Sequence, residues 1–154
     1  MKFHSAVIIV KDIERTKKFY CDLMDQTIKY DFGKNVTFES GFAIWELRDE
    51  NIIKRKLNTL ECGNPLELYF EDENIEVIYK KLKEKNVKFL HDIQEEPWGQ
   101  RTVRFFDPDG HLLEVGEPLH TFVRNLYKQD MTIDQIVEKS GISIEHVKEF
   151  LVLD

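Results

Sequence analysis

A chain of 154 residues with 42% hydrophobic and 12% aromatic residues has the composition of a globular domain with one well-buried core, and is too short for two full-sized domains. A formal net charge of -7 supplies no basic face for phosphates or anionic lipid, so neither nucleic acid nor membrane is expected among its partners. The segment from Met1 to Ser5 lacks a signal-peptide core, no apolar run is long enough to span a bilayer, and Cys21 and Cys62 form no CxxC pair, so a cytoplasmic location with reduced thiols is expected.

Ser5 to Val10 is a continuous β-branched run that predicts a strand, and Ile13, Tyr20, Leu23 and Met24 then recur at helical spacing. Thr27 to Phe32 reads as a short strand, and Val36 to Glu39 with Phe42 to Leu47 as a hairpin around Ser40-Gly41. Arg48 to Gly63 is charged and reads as a linker or lid. From Leu66 the same order returns: a strand (LELYF), a helix through Ile75, Ile78, Tyr79 and Leu82, a strand from Val87 to Leu90, and a hairpin of Gln100 to Phe106 and His111 to Val115 around Asp107-Pro108-Asp109-Gly110. Pairing Asp12-Ile13-Glu14 with Asn74-Ile75-Glu76 fixes an offset of 62 residues between the halves. The prediction is an α+β fold of two βαβββ modules, residues 1–48 and 64–118, joined by a linker over 49–63. Helices follow over Leu119 to Lys128, Thr132 to Lys139 and Ile144 to Leu151, a tail spanning 119–154 with Ser143 as an expected N-cap. The tail has a helix-turn-helix outline, but Asp134, Glu138, Glu145 and Glu149 favour packing or homodimer formation over DNA reading.

The phrases Val10-Lys11-Asp12-Ile13 leading to Phe19-Tyr20, and Phe106-Asp107-Pro108-Asp109-Gly110-His111 leading to Glu114, resemble the vicinal oxygen chelate superfamily of glyoxalases, bleomycin-resistance proteins and extradiol dioxygenases. The resemblance covers roughly residues 3 to 118. It implies a pocket on the curved strands of paired modules, a small-molecule partner and, in many members, one divalent metal on His, Glu or Gln. The family's ligand positions fall here on Ser5, Glu67 and Glu114; for the fourth, counting from Gly41 gives Trp45, whereas aligning Ala43 to Leu47 with glyoxalases gives Glu46. His4 is one residue out of register with Ser5 and joins only if a bulge turns it inward. If Glu46 or His4 completes a set with Glu67 and Glu114, nickel, zinc, manganese or iron is expected there, with Glu67 and Glu114 catalytic in a lyase or isomerase step; otherwise no cofactor is expected.

The metal-free alternative is a pocket that sequesters a small molecule or drug. Pairing Phe106 with His111 across a four-residue turn sets Val103 against Glu114 and puts Arg101 on the same face, where it keeps Glu114 ionised. Trp45 and Trp98 are candidate aromatic walls, although large aromatics are equally at home in a core. Ser5, Val7 and Tyr69 complete the expected lining. His91, His111, His120 and His146 are assigned no role, and no nucleophile motif or phosphate loop is present.

Overall fold

A computed structural model of the chain describes residues 5–49 and 66–152, so His4 and nearly all of the expected linker lie outside the described residues. The first half runs β1 (Ala6–Val10), α1 (Ile13–Asp22), β2 (Ile28–Asp31), β3 (Asn35–Phe38) and β4 (Phe42–Glu46). The second runs β5 (Glu67–Glu71), α2 (Ile75–Glu84), β6 (Phe89–Glu95), β7 (Arg101–Phe106) and β8 (Leu112–Gly116). Each half is βαβββ, and the two helices begin and end 62 residues apart, at Ile13 and Ile75 and at Asp22 and Glu84. The sheets have matching orders, β1-β4-β3-β2 and β5-β8-β7-β6, each with its first and last strands parallel. Helices α3 (Leu119–Lys128), α4 (Ile133–Ser140) and α5 (Ile144–Val152) close the chain.

The described residues divide into two compact units: those up to residue 66 together with 106–111, and 67–105 together with those from 112 onward. In the first, Ile8, Val10, Val36, Phe38, Phe42 and Ile44 are buried on one sheet face, and Tyr20 of α1 packs its ring on Phe38 and Phe42. In the second, Val103, Phe105, Leu113 and Val115 are buried on the helix-covered face, and Tyr79 of α2 meets Phe89, which in turn meets Phe105. Because strand side chains alternate, the remaining residues of each strand form an open face. The tail has its own apolar cluster of Phe122, Val123, Leu126, Ile136 and Val147. Thr132 caps α4 in a reciprocal capping box with Gln135, Gly141 ends it in the left-handed conformation at φ 71°, and the Ser143 hydroxyl accepts from His146 N.

The two signature phrases hold one another. Asp109 Oδ1 accepts from Lys11 N at 3.2 Å and from Arg15 Nη2 at 3.0 Å, while its Oδ2 accepts from the Thr16 hydroxyl at 2.7 Å. Asp107 Oδ1 shapes the turn by accepting from Asp109 N and His111 N, and its Oδ2 accepts from the Tyr20 hydroxyl and faces His111 Nδ1 at 2.8 Å. Asp12 caps α1 by accepting from Arg15 N. These residues therefore dock a helix N-terminus onto a turn.

Strand β6 departs from the expected Val87 to Leu90. Asn86 takes a positive φ of 54° and Val87 N donates back to Leu82 O, so those residues complete the exit from α2. The strand itself, FLHDIQE, is an edge strand of intermediate and exposed residues, with no apolar run to mark it.

Candidate functional site

The second hairpin is in register one residue away from the expected pairing. Asp107 N donates to His111 O at 3.0 Å and Glu117 N donates to Arg101 O at 3.1 Å, so Arg104 stands opposite Glu114 and Val103 opposite Val115. Arg101 and Val103 are thereby moved off the expected pocket. Val103 is fully buried on the helix face, and Arg101 turns to Glu117, with Nε to Oε1 at 2.9 Å, and to Glu76 of α2. The physical reason is the apolar alternation: Val103, Phe105, Leu113 and Val115 share one face only in the observed register.

Arg104 takes the place expected of Arg101. Its Nε donates to Glu67 Oε2 at 2.9 Å, its Nη1 to Glu96 Oε1 at 2.6 Å, and its Nη2 is paired with Glu114 Oε2. Nη1 also lies 3.2 Å from His91 Nε2, while His91 Nδ1 lies 2.7 Å from the Asp92 carbonyl oxygen. Guanidinium and carbonyl together demand an imidazole that accepts at Nε2 and donates at Nδ1. The Thr102 hydroxyl adds a donor to Glu96 at 2.9 Å. Glu114 is only 4% exposed; burial raises its pKa, with Glu67 and Glu96 adding to the rise and Arg104 opposing it. Arg104 holds Glu96 below the usual carboxylate range.

Beside this cluster runs a hydrogen-bonded chain on the same face. Trp98 Nε1 donates to Gln100 Oε1 at 3.0 Å, Gln100 Nε2 donates to the Tyr69 hydroxyl at 2.9 Å and to Glu117 O at 2.6 Å, and the Tyr69 hydroxyl donates to Glu71 at 3.1 Å. Gln100 is buried, whereas Tyr69 is 48% and Trp98 36% exposed, so a fixed amide orients two accessible aromatic rings. Burial pushes the Tyr69 phenol up to about 12, against the donor from Gln100. Gly116 makes the close approach possible: a Cβ there would lie 2.8 Å from Gln100 Nε2 and 3.1 Å from the Tyr69 ring.

The first sheet presents a different open face. Trp45 pairs with Ile9 on β1 and with Asn35 on β3, facing away from α1 with Val7, Ile9 and Ala43. Glu46 lies on the helix side, where Oε2 accepts from Ile13 N at 2.8 Å and Oε1 pairs with Lys34. Lys34 first, then that backbone donor, lowers its pKa. This carboxylate serves the orphan N–H groups of α1 and is not available as a metal ligand. Ser5 is half-buried just before β1 and Val7 is exposed.

Among the described residues, the donors do not match the divalent metal that the resemblance implies. Glu67 and Glu114 both direct oxygens at Arg104, Glu46 caps a helix, and Ser5 offers a hydroxyl. Among the described residues no group of three or more His, Cys, Asp and Glu side chains is arranged to hold a metal ion. Arg104 escapes the sequence reading because one residue of register decides whether Val103 or Arg104 stands opposite Glu114, and Gln100, Glu96 and Thr102 carry no motif that marks them.

Two βαβββ sheets with matching orders and a polar open face define a small-domain fold of the glyoxalase type. The glyoxalase-like domain family matches residues 3–120, and the chain belongs to it. The match leaves nearly all of α3, α4 and α5 outside. A curated relative, the metallothiol transferase FosB of Staphylococcus saprophyticus, is 28% identical over 107 residues, or 69% of this chain and 70% of that one. A solved protein of unknown function from Agrobacterium tumefaciens is 37% identical, with a TM-score of 0.65 over 77% of this chain and 95% of its own. The fosfomycin resistance protein FosX of Listeria monocytogenes shares the fold at 20% identity and a TM-score of 0.58, covering 77% and 93% of the two chains. No helix among the described residues is long and apolar enough to cross a membrane.

Proposed function

We propose that the protein is a glyoxalase-like small-molecule-binding domain that holds an oxygen-bearing ligand against the open face of its second sheet. The observation that carries this reading is Gln100, a buried amide that fixes the Trp98 indole and the Tyr69 hydroxyl while both rings stay accessible. Rings locked in this way contribute apolar contact at little ordering cost, and the Tyr69 hydroxyl, whose proton goes to Glu71, has a lone pair left to accept from a ligand hydroxyl. Binding of a metabolite, thiol conjugate or drug needs no further chemistry from these groups.

Tryptophan fluorescence tests it, because Trp45 and Trp98 are the only two tryptophans. Titration with lactoylglutathione, fosfomycin and bleomycin should give a saturable change with at least one probe. Tyr69→Phe and Gln100→Leu should each weaken that binding by about tenfold, the order expected for a lost hydrogen bond in a desolvated site. Saturation unaffected by either substitution, or no saturation with any probe, would remove the reading.

A second reading, a metal-dependent lyase, isomerase or thiol transferase acting through Glu67 and Glu114, is supported by the similarity to the metallothiol transferase. It requires both carboxylates to leave Arg104. Turnover of one of the same probes on adding manganese, nickel, zinc or iron, abolished in Glu114→Gln, would favour it.

A further inference from the structure

We propose that Arg104 is the resident cation of the second sheet, standing where a divalent ion would otherwise gather Glu67, Glu96 and Glu114, and that it excludes such an ion from them. Each carboxylate meets a different nitrogen of the guanidinium, Glu67 at Nε, Glu96 at Nη1 and Glu114 at Nη2. A planar, permanently charged group with donors spread along its rim is suited to three acceptors at once, and its positive charge repels a second cation from the same oxygens. The carboxylates come from three places, β5, the segment after β6, and β8, so the arginine ties these three stretches of chain together. Three carboxylates meet one guanidinium, and His91 turns its unprotonated Nε2 to the same group. Remove the guanidinium and what remains is three oxygen donors and an imidazole, a donor set of the kind that first-row divalent ions take.

The inference does not depend on which small molecule the domain binds. It predicts that the exclusion is a property of one side chain. The full chain, Arg104→Lys, Arg104→Gln and Glu114→Gln are titrated by calorimetry with zinc, nickel and manganese chlorides alone, and metal content after gel filtration is measured by mass spectrometry. The wild-type chain and Arg104→Lys, which keeps the charge, should retain no stoichiometric metal. Arg104→Gln should take up one ion per chain at least tenfold more tightly than wild type, and the ion should restore several degrees of melting temperature to it while leaving wild type unmoved. If Arg104→Gln is unfolded in metal-free buffer, the same ions should refold it, read by circular dichroism. Stoichiometric metal on the wild type that Glu114→Gln loses would overturn the proposal. So would a folded Arg104→Gln with no gain in affinity, an Arg104→Lys that binds as well as Arg104→Gln, or an Arg104→Gln that stays unfolded with every ion.

Discussion

At the same distance from its hairpin turn, the first sheet carries Asn35 opposite Trp45 and the second carries Arg104 opposite Glu114. The backbone pairing is shared, yet one open face is apolar around Trp45, Val7 and Ile9 while the other is a charged network beside two fixed aromatics. Duplication of a βαβββ unit thus preserves the buried face, where Ile44 and Val36 answer to Leu113 and Phe105, and leaves the open face free to diverge. The sharpest way to break this comparison is to remove the polar residue from each pair. Arg104→Ala strands a Glu114 that is 4% exposed and should lower unfolding stability by about 2 to 4 kcal/mol in urea titration, less than a fully buried pair because Arg104 is itself partly solvated. Asn35→Ala should cost about 0.5 kcal/mol or less. Equal losses would mean the two faces are energetically alike.

The turns differ in the same sense. Ser40-Gly41 makes one exposed side-chain hydrogen bond, from the Ser40 hydroxyl to Gln26, whereas Asp109 in the second turn receives Lys11 N, Arg15 and the Thr16 hydroxyl with its side chain only 2% exposed. Asp109→Ala should therefore cost about 2 kcal/mol and Ser40→Ala only tenths, as charge-assisted and solvated hydrogen bonds differ. A pH series sharpens the point. Burial works against the charged form of His111, but Asp107 outweighs it and raises the imidazole above its ordinary 6.5. Burial likewise works against the Asp107 carboxylate, and His111 outweighs it and lowers its pKa below 3.8. The histidine's contribution is complete below its ordinary pKa and is lost as pH rises through the raised value, while that of the aspartate is lost as pH falls through the lowered one. Urea midpoints should thus decline on the alkaline side of pH 6.5, and His111→Gln should flatten that decline. A decline of the same size in the variant would exclude His111 as its source.

Much of the molecule is legible in its sequence where side chains obey simple periodicity. The 62-residue offset, both helices, the Asp107 to Gly110 turn and the tail helices with the Ser143 cap follow from apolar spacing and turn chemistry. The site is less legible because it hangs on register. Glu67 and Glu114 are readable from the resemblance, but the guanidinium that binds them depends on whether Phe106 or Asp107 faces His111, and the DPDG phrase alone permits both. The apolar set Val103, Phe105, Leu113 and Val115 held the answer, since placing all four on one face leaves Arg104 beside Glu114. Glu46 illustrates the opposite difficulty: nothing local distinguishes a carboxylate that points into a pocket from one that reaches the first N–H of a helix earlier in the chain. Gln100 carries no motif at all, and its role appears only when its amide is seen between Trp98, Tyr69 and Glu117.

A smaller loss than those expected at Arg104 and Asp109 is also the most local. Gly116 lies on β8 beside Glu71, and an added methyl there would sit 2.8 Å from Gln100 Nε2. The amide is the far end of a flexible side chain, but it is held by the Tyr69 hydroxyl and by Glu117 O, so it can yield only by giving up one of them. Gly116→Ala should accordingly cost about 1 kcal/mol, a single neutral hydrogen bond, while releasing Tyr69 and Trp98 from their fixed orientation. Quenching of Trp98 by acrylamide should rise in the variant, read in a Trp45→Phe background so that one indole reports. A control substitution on the open face of the first sheet, Ala43→Ser, touches no such chain and should leave quenching of Trp98 unchanged in the same background. If Gly116→Ala also leaves the indole unmoved, Gln100 does not orient it, and the second sheet's aromatic wall would be no more preorganised than the first's.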